Sequence, residues 1–158
     1  MRERRIRVYA DTSVFGGAFD PEFRRASRAF FEQVRQGRFT LVISPVLRRE
    51  AMNAPPWVRD LYEELLPLAE GLEVDQEVVR LADAYVAAGI VPPLFYDDAL
   101  HVALATVSGC TAIVSWNFKH VVHLGKIPLY NALNATNGYR PIEIRSPREV
   151  IAYENPDA

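Results

Sequence analysis

The sequence is poor in cysteine and lysine and has no long apolar run. Cys110 is the only cysteine, which excludes an internal disulfide and any cysteine-based metal cluster. No stretch of about 18 consecutive apolar residues occurs, so no segment is suited to span a bilayer and no membrane association is expected. The start, Met1 to Val8, runs directly into strand-like sequence without the apolar stretch of a secretory leader, which makes the cytoplasm the expected location. There is no repeat and no low-complexity segment. A Gly-x-Gly-x-x-Gly fingerprint is missing after the first strand, which argues against a dinucleotide site. His101, His120 and His123 do not have the spacing of a zinc protease, and no zinc site is indicated. Lysine occurs only at Lys119 and Lys126 among 18 basic residues, and the rest are Arg. Arg forks suit phosphate, although genome composition accounts for such a bias equally well.

What is present describes one globular unit. The chain has 158 residues, 49% hydrophobic and 24% charged. At roughly 100–200 residues per domain this is a single domain over 1–158, long enough to bury one sizeable core. The net charge of −2 conceals a segregation: residues 1–50 carry +5, residues 51–100 carry −8 and the remainder +1. A basic surface near an acidic one is one reading, and ordinary solvation is the other.

Periodicity places the elements. Ile6–Ala10 alternates as a strand and ends at Asp11-Thr12-Ser13, with Gly16-Gly17 breaking the chain soon after. Residues 21–36 carry Phe23, Ala26, Phe30, Phe31 and Val34 at helical spacing and stop at Gly37. Phe39–Ile43 reads as a strand, and Ser44-Pro45 as a cap and first position of a helix through Glu50 and Ala51. Helices are expected over 57–69 and 75–88, with a short strand at 72–74 between them. A loop containing Pro92-Pro93 leads to a helix opened by Asp97-Asp98 and closed by Gly109. A buried strand at 111–115, an interrupted helix over 121–137, a strand at 141–144 and a Ser146-to-Glu149 capping box follow. Long helical connections between strands favour an α/β, three-layer sandwich: a central, mostly parallel sheet of about five strands with helices on both faces.

Ligands of such sheets bind beyond the carboxyl ends of the strands. Asp11 ends the first strand and Asn117 follows the strand at 111–115, so both belong to that edge. Glu50 lies on the helix leaving the second strand there, and Asp98 in the first turn of its own helix. Each has a plainer reading: Asp97 or Asp98 as a helix cap, Asp11 and Asn117 as turn residues, Glu50 as a solvated position. Taken together they describe an acidic crevice. Gathered carboxylates repel, and either raise their pKa or bind a cation. An all-oxygen set suits Mg²⁺ or Mn²⁺, which activate water for attack at phosphorus. With Arg-rich surface nearby, this is the pattern of a metal-dependent nuclease. His101, three residues after Asp98 on the same helical face, reads as a supporting or packing residue rather than a ligand.

The segments Tyr9-Ala-Asp-Thr-Ser-Val14, Ser44-Pro-Val-Leu-Arg-Arg-Glu50, Asp97-Asp-Ala-Leu-His-Val-Ala-Leu-Ala105 and Ile113-Val-Ser-Trp-Asn-Phe-Lys-His120 resemble, in order and spacing, those of PIN-domain ribonucleases, most closely the VapC-type toxins of toxin–antitoxin systems. The resemblance runs from about Ile6 to the final strand. It implies an endoribonuclease that cleaves single-stranded RNA with metal-activated water, leaving a 5′-phosphate and a 3′-hydroxyl, with Mg²⁺ or Mn²⁺ as cofactor. It also implies RNA as substrate, an antitoxin protein as partner and a homodimer, for which the helices at 57–69 and 75–88 offer apolar residues. By position, Asp11, Glu50 and Asp98 match the family's acidic ligands. Asp11 and Asp98 would hold the principal metal, and Glu50 would bind it or orient the attacking water. Asn117 stands where many members have a fourth Asp, so it would contribute only a carbonyl oxygen to the metal shell, and Phe118 and Lys119 stand where a further acid is common. Weak metal binding is therefore expected. Thr12, Ser13, Asp97 and His101 would support the ligands, and Arg24, Arg25, Arg28, Arg48 and Arg49 are candidates for phosphate contacts.

Other readings are weaker. An aspartyl-phosphate enzyme of the haloacid dehalogenase type would need Asp where Ser13 stands. A response-regulator receiver would need an acidic pair near the first strand. The alternative that survives is a catalytically weak or inactive PIN fold that binds RNA or a protein without cutting.

Overall fold

The protein is described by a computed structural model over Ile6–Ala152; the basic start at residues 1–5 and residues 153–158 lie outside the described residues. Five strands, β1 (Ile6–Ala10), β2 (Phe39–Ile43), β3 (Ala69–Gly71), β4 (Ala112–Val114) and β5 (Glu143–Arg145), form one sheet in the order β3-β2-β1-β4-β5. Every pairing is parallel. The helices are α1 (Thr12–Gly17), α2 (Arg24–Arg35), α3 (Pro45–Met52), α4 (Pro56–Leu65), α5 (Gln76–Ala87), α6 (Tyr96–Val107), α7 (Ile127–Thr136) and α8 (Pro147–Ile151).

The three layers follow from the period of two along each strand. Val8 and Ala10 of β1, Leu41 and Ile43 of β2, and Ala112 and Val114 of β4 enter a core completed by α1, α2, α4 and α8, with Phe15, Phe30, Phe31 and Tyr62 among its large side chains. The alternate residues Tyr9, Val42, Ile113 and Ile144 enter the opposite core with α5, α6 and α7. Helix α3 contributes to both, through Leu47 and Ala51 on one side and Val46 on the other. Burial on both faces explains why the central strands read as near-continuous apolar runs. No helix among the described residues is long and apolar enough to cross a membrane.

From β1 at the centre of the sheet the chain moves outward through β2 and β3, then returns beside β1 with β4 and moves outward the other way. The order reverses between β1 and β4, and at such a switch point the connections part to leave a crevice beyond the strand ends.

Local signals set most boundaries. Ser44 is extended and its Oγ accepts from the Leu47 amide at 3.2 Å, with Pro45 at the first helical position. Asp75 caps α5 by accepting from the Val78 amide at 3.0 Å. The Ser146–Glu149 capping box is present at α8. Gly89 and Gly109, with φ of 77° and 74°, end α5 and α6 in the left-handed region that favours glycine.

Other boundaries differ from the sequence reading. Helix α1 has no counterpart in the sequence reading; Asp11, whose plainer reading is a turn residue, is its cap. The third strand lies at Ala69–Gly71 rather than 72–74, where Leu72 and Val74 drew the apolar pattern. The Leu72 amide still bonds the Ile43 carbonyl at 2.9 Å, just past the strand. Helix α4 ends at Leu65 in a 3-10 turn over Leu66–Leu68 instead of continuing to 69. The helix expected from 121 begins only at Ile127, with Pro128 in its first turn, because the preceding segment turns on the Asn117 and His123 carbonyls. The last strand is Glu143–Arg145 rather than 141–144.

Candidate active site at the switch point

Asp11 leaves the sheet at the reversal. Its amide continues the ladder by bonding the Val114 carbonyl at 3.2 Å, and its side chain turns back to cap α1. Only 4% of the residue is exposed. Its Oδ1 accepts from the Ser13 amide at 3.1 Å and from the Ser13 hydroxyl, and its Oδ2 from the Ser115 hydroxyl, both hydroxyls at 2.5 Å. Each of these hydroxyls in turn accepts from the loop after β4: Ser13 Oγ from the Trp116 amide at 2.8 Å, Ser115 Oγ from the Asn117 amide at 2.9 Å. The loop is thus fastened to Asp11 through two serines. Burial raises the Asp11 pKa, and the Asp98 charge adds to the rise; the charge of His101 and the bonds from Ser115 and Ser13 oppose it without prevailing.

Glu50 projects from α3. Its Oε1 accepts from the Thr12 hydroxyl at 2.8 Å and from His101 Nε2 at 2.5 Å. The other face of the imidazole is held from β1: Nδ1 lies 2.6 Å from the Tyr9 hydroxyl, which lies 2.7 Å from Ser44 Oγ. A single line of bonds therefore runs from the cap of α3 through β1 and α6 back to α3. Burial opposes charge on both Glu50 and His101. Their mutual bond and attraction outweigh it, so the Glu50 pKa is lowered, with help from Thr12 and Arg49, and the His101 pKa is raised. Asp11 and Asp98 also favour the imidazolium, which places His101 in the field of all three acids.

Asp98 sits in the first turn of α6 with its Oδ2 2.9 Å from His120 Nδ1. The plain reading of Asp97 or Asp98 as a cap is not met: α6 is preceded by Phe95 and has no side-chain cap bond. Asp97 instead takes a two-pronged bond from Arg49, at 3.1 and 3.0 Å.

Asn117 is close by, but its carbonyl oxygen accepts from the Lys119 and His120 amides at 3.2 and 2.9 Å. That oxygen, expected to face a metal, instead shapes the turn that carries His120 to Asp98. The arginines separate. Arg49 is engaged with Asp97, and Arg28 donates to the Ala18 carbonyl at 2.8 Å. Arg28 also lines an open groove of about 740 Å³ beside Phe19, Arg35 and Trp57, to which none of the three acids contributes. Arg24, Arg25 and Arg48 are exposed. Tyr9, Ser44, Ser115 and His120 were not singled out as site residues. All four lie inside the segments that carry the family resemblance, but nothing in the spacing of Ser115 and His120 assigns them partners 104 and 22 residues away.

Among the described residues no three His, Cys, Asp or Glu side chains are drawn up closely enough to enclose an ion. The chemistry of the donor set nevertheless fits a hard divalent cation. It is all oxygen, and neither Glu50 Oε2 nor Asp98 Oδ1 is hydrogen-bonded by another described residue. Both carboxylates are partly open to solvent.

No family model matches the sequence, and no curated protein matches it. Among solved structures, a chain in the crystal structure of VapBC2 from Rickettsia felis bound to a DNA fragment from their promoter superposes with a TM-score of 0.51 at 12% identity, covering 72% of this chain and 90% of that one. The likeness is one of fold alone, a PIN-like architecture of five parallel strands between helical layers.

Proposed function

We propose that the protein is a metal-dependent endoribonuclease that cuts single-stranded RNA, acting as the toxin of a toxin–antitoxin pair. The observation that supports this reading is His101, which bonds Glu50 and lies in the field of Asp11, Glu50 and Asp98 alike, beside the reversal of the sheet order. A divalent cation such as Mg²⁺ or Mn²⁺, held by those three acids, would supply Lewis-acid activation of water and neutralise charge at phosphorus.

The chain's own residues then have distinct tasks. Asp11 is held rigid by Ser13 and Ser115 and kept from bulk water. Glu50, aimed by Thr12 and His101, keeps one oxygen for the metal or for an attacking water. Asp98 is steadied by His120. Asn117 keeps the turn in place. Arg24, Arg25 and Arg48 are exposed and would meet phosphates, which predicts RNA affinity that falls with salt. An antitoxin partner belongs to the same proposal, with the fold shared with the VapBC2 structure in support, and so does a homodimer, which that likeness does not address.

A non-cutting PIN fold that binds RNA or protein is the second reading. The observation in its favour is Asn117, which brings no charge and commits its oxygen to backbone amides. Incubation of a 5′-labelled pool of single-stranded RNA with the protein and Mn²⁺ separates the two. The nuclease reading predicts shortened labelled fragments that end in 3′-hydroxyls; a pool left intact by folded protein overturns it.

A further inference from the structure

Two large aromatic side chains stand half in solvent, one just before the helix that carries Asp98 and one on the loop that carries Asn117 and His120. Phe118 follows Asn117 and is 49% exposed; Phe95 lies three residues before Asp98 and is 40% exposed. Neither is loose. The Phe95 ring packs against the His120 imidazole with centroids 4.4 Å apart, and that imidazole bonds Asp98. Phe118 meets Trp116 edge-on at 6.1 Å, and Trp116 is itself stacked on Phe23 at 4.3 Å and donates its Nε1–H to Ser27 at 2.8 Å. Both rings are therefore backed by rigid neighbours while keeping surface for a partner.

Cations accompany the rings. Lys119 Nζ lies 5.7 Å from the Phe95 centroid and Arg148 Cζ 5.4 Å from that of Trp116. Neither cation is paired with a carboxylate among the described residues. Exposed π-faces beside Lys119, with Arg148 lying over Trp116 and donating to the Glu22 carbonyl at 3.3 Å, match an unstacked base and its phosphates, since every base offers a face and every linkage a negative charge. A duplex hides its base faces and offers the rings nothing.

We propose that Phe95 and Phe118 form a two-ring stacking platform for unpaired bases of a single strand crossing the acidic crevice, with Lys119 and Arg148 taking its phosphates. The inference rests on the nuclease reading for its placement of the crevice. It makes these residues determinants of single-strand preference and of strand position; they take no part in bond cleavage.

The test is fluorescence anisotropy in EDTA and low salt with three short probes: a single-stranded RNA, the same backbone without bases, and a duplex. Wild type is expected to bind the single strand at least about fivefold more tightly than the abasic probe or the duplex. Phe118→Ala and Phe95→Ala should each weaken the single-strand complex by about 5- to 50-fold and leave the abasic complex within about twofold. Phe118→Leu, which keeps apolar bulk without a π-face, should behave like Phe118→Ala, whereas Phe118→Trp should retain affinity. Equal binding of single strand and abasic probe by wild type, or unaltered binding by Phe118→Ala and Phe118→Leu, overturns the platform. Parallel incubation with Mn²⁺ keeps the two claims apart. Cleavage without base preference removes the platform alone, base preference without cleavage removes the nuclease alone, and binding of no probe overturns the platform whatever the cleavage result.

Discussion

His101 on α6 reaches Glu50 on α3 with its Nε2 2.5 Å from the Glu50 Oε1, and this contact organises the acidic crevice. Three carboxylates that share an edge repel one another. The imidazole lies in the field of all three and is locked from behind by Tyr9 and Ser44. The fold thus supplies its own countercharge where the reaction is proposed to occur.

That pairing gives stability a defined dependence on pH. The His101 pKa is raised above its ordinary 6.5, so its contribution is full below 6.5 and is lost as pH rises through the folded value. The Glu50 pKa is lowered from 4.5, so its contribution is full above 4.5 and is lost as pH falls through the folded value. The pair therefore stabilises most between those two ordinary values. Thermal melts in EDTA should show wild type losing stability from mildly acidic to mildly alkaline pH, with a flatter profile for His101→Gln. Parallel profiles would contradict the pairing.

Asp11 behaves in the opposite sense to a stabilising acid. Burial raises its pKa above 3.8, so its contribution is full below that value and is lost as pH rises through the folded value. Asp11→Asn should raise the melting temperature at neutral pH by about 2–6 °C, while abolishing cleavage. The gain should vanish in acid. A lower melting temperature at neutral pH would contradict this.

Tyr9 is a strand residue by pattern, yet its hydroxyl joins Ser44 to His101. Tyr9→Phe leaves two buried polar atoms each short of a partner and should cost about 1–3 kcal/mol in urea unfolding. The released imidazole should also lower cleavage. Unchanged stability would show that the bonded line does not hold the site.

Gly17 has no room for a side chain. A Cβ there would lie 2.6 Å from Trp116 Nε1 and 2.7 Å from Ser27 Oγ. Gly17→Ala should cost about 1–3 kcal/mol by overpacking and shift the tryptophan emission. An unshifted spectrum with unchanged stability would contradict the packing of α1 against the site loop.

The sheet was legible because each central strand is buried on both faces and reads as an apolar run. The exposed edge strand Ala69–Gly71 lacks that signature, which is why Leu72 and Val74 misplaced it. Helix α1 is six residues long and ends in two glycines, too short for a helical period to appear. Asp11, Glu50 and Asp98 could be found as candidates since strand ends of a parallel sheet share one edge. The partners that aim them could not. Tyr9 and His101 are 92 residues apart, and Ser115 and Asp11 are 104 apart, so only the folded chain joins them. Asn117 lay where a ligand was expected, and local backbone geometry claimed its oxygen instead.

The central claim is tested most directly by cleavage of labelled single-stranded RNA by wild type and Asp98→Asn, each with Mn²⁺, Mg²⁺ or EDTA, with the fold of both confirmed by circular dichroism. The account predicts fragments from wild type with metal only, and a loss of about 100-fold or more in the folded Asp98→Asn protein, as expected when a group essential to the chemistry is removed. Equal cleavage by the variant, or cleavage by wild type in EDTA, would contradict it.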